Sequence, residues 1–410
     1  MDPEATPSVR ADGAPRGGRI AAAVSVRLLS AVHSPARGTR LTVVLGRWLA
    51  VVFTLCLATG FYSHALQDPS TWPVLTLSRP VWLYALTQSV HIAAGTASIP
   101  LLLGKLWAVY PELLRWPPVT SALHALERAS IAAFVSASLV EVAIGIINTF
   151  QWYPWPFPFR ETHFALAWVI LGSLIVHIAV KYPAIAAHWR RPRDTSEEGA
   201  AADAASYRSR RRVLVLVAAG AAAAFLGAAS ENVPAVRDLA VFTPRRPGRG
   251  SQGLAVNRTA AAAGVSISEG APGWRLRVVV GDRIMRFSLA DLAALPQAEH
   301  ALPIACVEGW VDEATWGGVP LTALLDAAGA GAGDVVVESL EQAGNYRQTV
   351  LPALFARDPL TLVALRLNGE VLSLDHGFPA RLIAPGRPGV LQTKWLAELR
   401  VLASGREAKA

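Results

Sequence analysis

Five long apolar stretches in the first 230 residues constrain this chain more than any other feature. They lie at about residues 42–66, 81–104, 121–149, 163–187 and 213–230. Each is close to the roughly 20 residues that an α-helix needs to cross a bilayer. Charged residues make up only 17% of the chain, below the roughly 25% that is usual in soluble domains. The sequence therefore predicts an all-α transmembrane bundle of about five spans, in contact with membrane lipid.

Basic residues predict the orientation of this bundle, because Lys and Arg accumulate on the cytoplasmic side of membrane proteins. Six arginines precede the first stretch, and eight basic residues lie in the segment 181–212. The segments on the opposite side have only Arg79 and Arg160. We therefore expect a cytoplasmic N-terminus and an extracytoplasmic C-terminal domain. The net charge of +8 follows this topological pattern, so we expect no nucleic-acid partner.

Composition divides the chain into five predicted segments. Residues 1–40 lack periodicity and are expected to form a disordered cytoplasmic tail. Residues 41–190 are expected to form a four-helix membrane domain, and 191–212 a basic cytoplasmic linker. Residues 213–230 predict a fifth transmembrane anchor, although their basic start and Ala-rich core are also similar to an export signal.

Residues 231–410 predict a mixed α/β domain. The stretches "WRLRVVV" (274–280) and "VVVES" (335–339) are typical of strands. The stretches "SLADLAAL" (288–295) and "PLTALLDAAG" (320–329) are typical of short helices, and "LNGE" (367–370) of a hairpin. About 180 residues are enough for a separate hydrophobic core.

Histidines inside the apolar stretches indicate a function within the membrane, because buried imidazoles are costly there. His163 and His177 are fourteen residues apart on one predicted helix, or about 21 Å, which suits two haems at different depths. His91 and His177 are expected near the middle of the membrane, so we predict them first as a pair of axial ligands of haem iron. His64 and His163 are both expected at the outer face, and they form the second predicted pair. Hydrogen bonding between helices and proton relay in a transporter are the alternatives. The segment resembles the four-helix membrane cytochromes b, which implies one or two haems b and a quinone partner.

The stretch "IACVEGW" (304–310) contains Cys306, one of only two cysteines in the chain. Three interpretations are open for this thiol. It is a buried structural residue, a nucleophile activated by His300 or His376, or a thiolate ligand. One Cys and two His are too few for a closed zinc site, so a metal here would bring most of its own ligands.

Two longer stretches resemble the molybdopterin domain of the sulfite oxidase family. They are "LPIACVEGWVDEATWGGVPLTALLDAAG" (302–329) and "LRLNGEVLSLDHGFPARLIAPGRPGVLQTKWLAELRV" (365–401), with a weaker match at "GLAVNRTAAAAGV" (253–265). Within that family they are similar to the bacterial periplasmic branch that includes methionine sulfoxide reductase, whose partner is a membrane cytochrome b. The resemblance implies a mixed α/β sulfite oxidase-type molybdopterin-binding domain in a bacterial-type cell membrane, with molybdenum bound by Cys306.

The same resemblance implies the residues that contact molybdenum-molybdopterin. These are Asn257, His376, Arg381, Gln392, Thr393 and Lys394. Cations among them suit the phosphate of the pterin, and Glu308 and His376 are candidates for proton handling in catalysis. The periplasmic branch often has Asn where this chain has His376, and an imidazole there is expected to titrate near neutral pH.

The expected function is that of a membrane-bound oxidoreductase that passes electrons between quinone, haem b and molybdenum. It would reduce a small oxidised substrate, an S-oxide or N-oxide, by oxygen-atom transfer. Two alternatives are oxidation of sulfite or a related small molecule with electrons passing to quinone, and a non-catalytic membrane sensor or scaffold. The sequence does not indicate an oligomeric state.

Overall fold

The computed structural model describes residues 16–69, 71–188, 197–240, 245, 248–267 and 271–402. The N-terminal half of the chain is helical. Within the described residues its six α-helices are α1 (Arg16–Ala31), α2 (Thr39–Gln67), α3 (Leu83–Val109), α4 (Ala122–Thr149), α5 (Phe159–Ala187) and α6 (Glu197–Ala229). Five apolar segments, those of α2 to α6, are long enough to cross a membrane, with mean hydropathy between 1.5 and 2.2. The predicted all-α bundle of about five spans is confirmed.

Two predicted segments differ from the structure. Within the expected disordered tail, residues Arg16–Ala31 form α1, where Ser25 is buried and its hydroxyl donates to the carbonyl of Leu114. Within the expected linker, α6 already begins at Glu197, because the Ala-rich stretch that follows has high helix propensity. Residues 1–15 of the tail and 191–196 of the linker lie outside the described residues.

The chain divides into two compact units that do not follow the predicted domain boundaries. The first, here called the helical unit, comprises Met1–Phe53, Ala97–Ile144 and Arg160–Ala223. The second, here called the sheet unit, comprises Thr54–Thr96, Gly145–Phe159 and Ala224–Ala410. The sheet unit therefore includes one end of α2 and one end of α3 together with the C-terminal domain.

The helical unit has an apolar core between three of its helices. Leu41, Leu45 and Leu49 recur every fourth residue and so share one face of α2. They pack with Leu101 and Leu102 of α3, and part of α6 packs against the same cluster. The contact between α3 and α6 is close, since a Cβ atom at Gly104 would lie 2.8 Å from Val217.

In its described residues, the sheet unit contains ten strands in two sheets. They are β1 (Leu276–Val280), β2 (Arg283–Phe287), β3 (Ala298–Ala305), β4 (Val311–Pro320), β5 (Val335–Ser339), β6 (Gln348–Leu351), β7 (Leu362–Leu367), β8 (Glu370–Val371), β9 (Arg381–Ile383) and β10 (Leu396–Val401). One sheet has the order β2-β1-β10-β5-β6, with β1 and β10 parallel. The other has the order β3-β4-β7-β8, and β9 also pairs with β7.

Four short helices complete the sheet unit. They are α7 (Ala260–Ala263), α8 (Leu289–Ala294), α9 (Leu321–Ala327) and α10 (Ala353–Ala356). Side chains from both sheets and from α9 form one continuous core cluster, which includes the fully buried Leu276, Leu324 and Leu399. The predicted mixed α/β domain is therefore confirmed, and so are its strands at 276–280 and 335–339.

The predicted hairpin at "LNGE" is present between β7 and β8. Leu367 pairs with Glu370, which leaves Asn368 and Gly369 as the two turn residues. Their φ angles are +50° and +83°, as a two-residue turn of this kind requires. Asn and Gly tolerate this conformation better than other residues, which is why the dipeptide predicted the turn.

Candidate molybdopterin site

Cys306 lies on the turn that joins β3 to β4, called here the thiol turn (residues 306–310). The Cys306 N–H donates to the carbonyl of Trp310 at 2.9 Å, and the Gly309 N–H donates to the carbonyl of Cys306 at 3.1 Å. Gly309 has φ +108°, a conformation that favours glycine. The Cys306 side chain is 1% exposed, and this burial raises the pKa of the thiol. A bound cation would have the opposite effect.

Glu308 is held in the same turn by two donors. The Nε atom of Arg245 donates to Oε2 of Glu308 at 2.9 Å, and the indole Nε1 of Trp310 donates to the same oxygen at 3.0 Å. Burial raises the pKa of Glu308, whereas Arg245 lowers it. The second oxygen, Oε1, is buried and has no hydrogen-bond partner among the described residues. Arg245 lies in a Pro- and Gly-rich stretch of the sequence and has no local pattern that marks it as part of a site.

The cation-rich segment, residues 381–394, packs against the end of β3 that leads into the thiol turn. Ala305, the residue before Cys306, forms a parallel bridge with Pro388. A Cβ atom at Gly389 would lie 2.9 Å from the Ala305 carbonyl oxygen and 3.5 Å from the Cα atom of Cys306. The two stretches that carried the resemblance, 302–329 and 365–401, are therefore neighbours in the fold.

Three cations of this segment are buried, and we call them the cation cluster: Arg381, Arg387 and Lys394. Their exposed fractions are 2%, 3% and 7%. Burial lowers the pKa of Arg381 and of Arg387 to about 9 each, and lowers that of Lys394 well below its ordinary value. None of the three takes part in an ion pair within the part of the chain that the structure describes.

The hydrogen bonds of the cation cluster lead to neutral carbonyl groups. Lys394 Nζ donates to the carbonyls of Arg258 and Asp375 at 2.7 and 2.9 Å. Arg387 donates to two carbonyls, whereas the buried Nε atom of Arg381 has no partner in the described structure. Burial of a cation that forms no ion pair is unfavourable, so the cluster fits an anion such as the phosphate of a pterin.

The thiol belongs to the same electrostatic environment. A negative charge on Cys306 raises the pKa of Arg381 and of Lys394 and so opposes the effect of burial. Arg381 also lies over the ring of Trp316, with 5.1 Å between the guanidinium carbon and the ring centroid. The chain therefore brings one thiol and three cations together, as a metal ligand and an anion site would require.

His376 is buried beside this cluster, with 1% exposure. Its Nε2 atom lies 2.7 Å from the carbonyl oxygen of Ser251. Burial, with a further contribution from Arg381, lowers the pKa of His376 to about 4. The expected titration near neutral pH is therefore wrong for this environment, in which the imidazole is neutral at pH 7.

The other expected cofactor contacts are also buried or partly buried, and each has a protein partner. The side chain of Gln392 forms hydrogen bonds with both the N–H and the carbonyl of Ala384, at 2.7 and 2.9 Å. The hydroxyl of Thr393 lies 3.3 Å from that of Thr349. Asn257 Oδ1 accepts from the N–H of the next residue at 2.9 Å. Their roles toward a cofactor stay predictions.

Two of the predicted haem ligands belong to the sheet unit. The Nδ1 atom of His91 lies 3.0 Å from the carbonyl oxygen of Cys56 and 3.2 Å from Oγ1 of Thr59. A metal-binding imidazole that coordinates through Nε2 commonly makes such a contact through its other nitrogen. His64 lies in the last turn of α2.

The other two belong to the helical unit. The Nδ1 atom of His163 lies 3.2 Å from Oε1 of Glu141. The ring of His177 stacks on Phe134, with 6.0 Å between centroids and an interplanar angle of 15°. The pairings across the two units, and haem binding itself, stay predictions. Among the described residues no group of three or more His, Cys, Asp or Glu could hold a metal alone.

Comparison with known proteins supports the molybdopterin assignment. Residues 263–409 match the family described as "Oxidoreductase molybdopterin binding domain". A putative protein-methionine-sulfoxide reductase subunit of Azospira oryzae is 33% identical over 118 residues, or 29% of this chain and 44% of its own length. Mitochondrial sulfite oxidase of Mus musculus is 30% identical over 157 residues, which is 31% of this chain and 29% of the length of that enzyme.

A nitrate reductase of Solanum lycopersicum is 38% identical over 109 residues, which is 24% of this chain and 12% of the length of that enzyme. The chain thus spans less than half the length of each of these relatives. The names of these relatives refer to three different compounds: methionine sulfoxide, sulfite and nitrate. The similarity therefore does not indicate one substrate. Residues 263–409 therefore match molybdopterin-binding oxidoreductase domains, and among the described residues they follow five helices that are long and apolar enough to cross a membrane.

Proposed function

We propose that this protein is a membrane-bound molybdopterin-dependent oxidoreductase that reduces an S-oxide or N-oxide with electrons from quinol. The observation that carries the proposal is the position of Cys306 beside the buried cation cluster. A thiol for a metal and cations for a phosphate are the two features that a molybdenum–pterin site needs from the protein. Asp375 and Glu341 partly compensate Lys394, but a scaffold that binds no cofactor would gain nothing from burying three cations that form no ion pair in the described structure.

The residues of the site would have distinct roles. Cys306 would supply the thiolate ligand, and Arg381, Arg387 and Lys394 would hold the anionic end of the cofactor. When bound, the molybdenum supplies oxygen-atom transfer with a two-electron change. Removal of the substrate oxygen as water also needs two protons, and Glu308, whose Oε1 has no hydrogen-bond partner in the described structure, is the candidate that lies in the thiol turn itself.

The electrons would come through the membrane domain. His91, His177, His64 and His163 would supply the axial ligands of one or two haems b, with quinol as the electron donor in the lipid. When bound, haem supplies one-electron transfer between quinol and the molybdenum site. The Nδ1 contacts of His91 support its ligand role, since they orient the imidazole ring. The distribution of basic residues supports a cytoplasmic N-terminus and an extracytoplasmic C-terminal domain.

Oxidation of sulfite or a related compound, with electrons passing to quinone, is the second candidate function. It is favoured by the match to sulfite oxidases. In this reaction two electrons would pass in the opposite direction, from the substrate through the same cofactors to quinone.

The test uses the full chain, purified in detergent and reduced with dithionite. We expect molybdenum and iron by elemental analysis and reoxidation of a haem absorbance band by at least one sulfoxide or N-oxide. Cys306→Ala should abolish reoxidation, whereas Cys56→Ala, which removes the other thiol, should retain it. Oxide-driven reoxidation that survives Cys306→Ala would rule out the proposed site, and reduction of oxidised haem by sulfite would favour the second candidate.

A further inference from the structure

The thiol turn is hydrogen-bonded to a helix that is a candidate membrane span. The amide Nε2 of Gln88, in α3, donates to the carbonyl oxygen of Val307 at 2.9 Å. Gln88 is 4% exposed, so this bond is shielded from water. Both residues belong to the sheet unit.

Asn232, which follows α6, makes a second connection. Its Nδ2 atom donates to the carbonyl of Gly309 at 3.0 Å and to the hydroxyl of Ser89 at 2.7 Å. Its Oδ1 atom accepts from the N–H of Val311 at 2.8 Å. One amide group therefore joins α3 to both the thiol turn and the first residue of β4.

Apolar contacts reinforce these bonds. A Cβ atom at Gly309 would lie 2.8 Å from Cγ1 of Ile92, so the turn backbone lies directly on α3. Next to the turn, Ala305 forms a buried cluster with Leu66 of α2 and Tyr84 of α3. The helix ends thus cover the side of the thiol turn that is formed by Val307 and Gly309.

The turn depends on these partners for its shape. It is closed by two backbone hydrogen bonds, those of Cys306 and Gly309, and the carbonyls of Val307 and Gly309 accept from Gln88 and Asn232. A buried carbonyl that loses its donor is unfavourable, so without these amides the turn would move to reach water. Movement of the turn would displace the sulfur of Cys306.

We propose that Gln88 and Asn232 are positioning residues for Cys306, so that the candidate membrane helices complete the metal site of the C-terminal domain. The identity of the metal rests on the function proposed above, whereas the control of the thiol by the helices does not. The domain would then retain its metal only when joined to its own helices.

The test is made in the full chain with a Cys56→Ala background, so that Cys306 is the single thiol. Gln88→Leu removes the amide donor at similar size, and Asn232→Ala removes the second connection through a different carbonyl. Gln67→Leu is the matched control. Gln67 belongs to the same unit and its side chain accepts from the hydroxyl of Tyr346 at 3.0 Å. None of its hydrogen bonds in the described structure reaches the thiol turn.

Two quantities are measured in detergent. The first is the rate at which a maleimide labels Cys306 in protein produced without molybdate, and the second is the molybdenum content per chain of protein produced with molybdate. We expect Gln88→Leu and Asn232→Ala each to raise the labelling rate and lower metal retention by about tenfold, as for residues that orient a metal ligand. Gln67→Leu should match the background in both.

Labelling rates of both variants equal to that of Gln67→Leu would overturn the proposal. Absence of molybdenum from the parent chain would overturn the proposed function alone, because the labelling rates still report whether the helices hold the thiol.

Discussion

Gly389 packs so closely on Ala305 that a methyl group on its Cα atom would lie 2.9 Å from the Ala305 carbonyl oxygen. This contact joins the cation-rich segment to β3, which ends at Ala305 directly before Cys306. Because the obstructing atom belongs to the backbone, Gly389→Ala requires one of the two segments to move. We expect a loss of about 1–3 kcal/mol in the free energy of unfolding and a lower molybdenum content per chain.

Gly273→Ala is the control for this substitution, since no atom lies within 4 Å of a Cβ at that position. Thermal unfolding of the full chain and elemental analysis measure both effects. Equal metal content in the two variants would show that the close contact is not needed to form the site.

Leu399 tests the core shared by the two sheets. It is fully buried in β10 and pairs with Val278 on one side and Val337 on the other. Leu399→Ala should lower the free energy of unfolding by about 2–5 kcal/mol, because it removes buried methyl groups and leaves a cavity. Ile284→Ala, at a side chain that is 47% exposed in β2, should change it by less than about 0.5 kcal/mol. Denaturant titration followed by tryptophan fluorescence distinguishes the two.

His376 predicts a pH dependence of stability. Its pKa in the folded protein is about 4, below the roughly 6.5 of an exposed imidazole. The unfolded chain therefore binds more protons between these values, so stability is complete above about pH 6.5 and is lost as pH falls toward 4. The midpoint temperature of unfolding of cofactor-free protein should decrease when the pH is lowered from 7.5 to 5. His376→Asn, which does not titrate, should reduce that fall, and an unchanged pH profile in this variant would contradict the buried neutral imidazole.

Gly60 offers a test of His91 as a haem ligand. A Cβ atom at Gly60 would lie 2.8 Å from Cε1 of the His91 ring, and the ring is already held by Cys56 and Thr59. Gly60→Ala should displace the imidazole and weaken haem retention by about tenfold, measured as haem absorbance per chain. Gly95→Ala in α3, where a Cβ meets nothing within 4 Å, should retain full absorbance. Equal haem content in the two variants would argue against His91.

Local patterns predicted those parts of the fold that depend on neighbouring residues. The Asn368–Gly369 turn follows from the conformational freedom of these two residues, and β5 follows from its β-branched run. Helix α1 was missed because the Gly-, Pro-, Arg- and Ser-rich composition of residues 1–40 indicated disorder. The apolar residues between Ile20 and Ala31 follow a helical period, and that local pattern was outweighed by the composition of the whole tail.

The candidate site was only partly predictable for a related reason. Cys306 and Lys394 were named through the resemblance, which covers both stretches, and the fold brings those stretches together. Gln88, Asn232 and Arg245 were missed because each acts on the thiol turn from a distant part of the sequence. A single buried Gln in an apolar helix has no local signal that identifies its partner.

The cation cluster also bears on how such a protein matures. Its three side chains are sealed from water, and the charge of Arg381 further lowers the pKa of Lys394. A bound anion would offset the cost of burying these cations. Chains made with molybdenum–pterin should therefore resist proteolysis for longer than folded chains made without it, because the cofactor would stabilise the domain that encloses it.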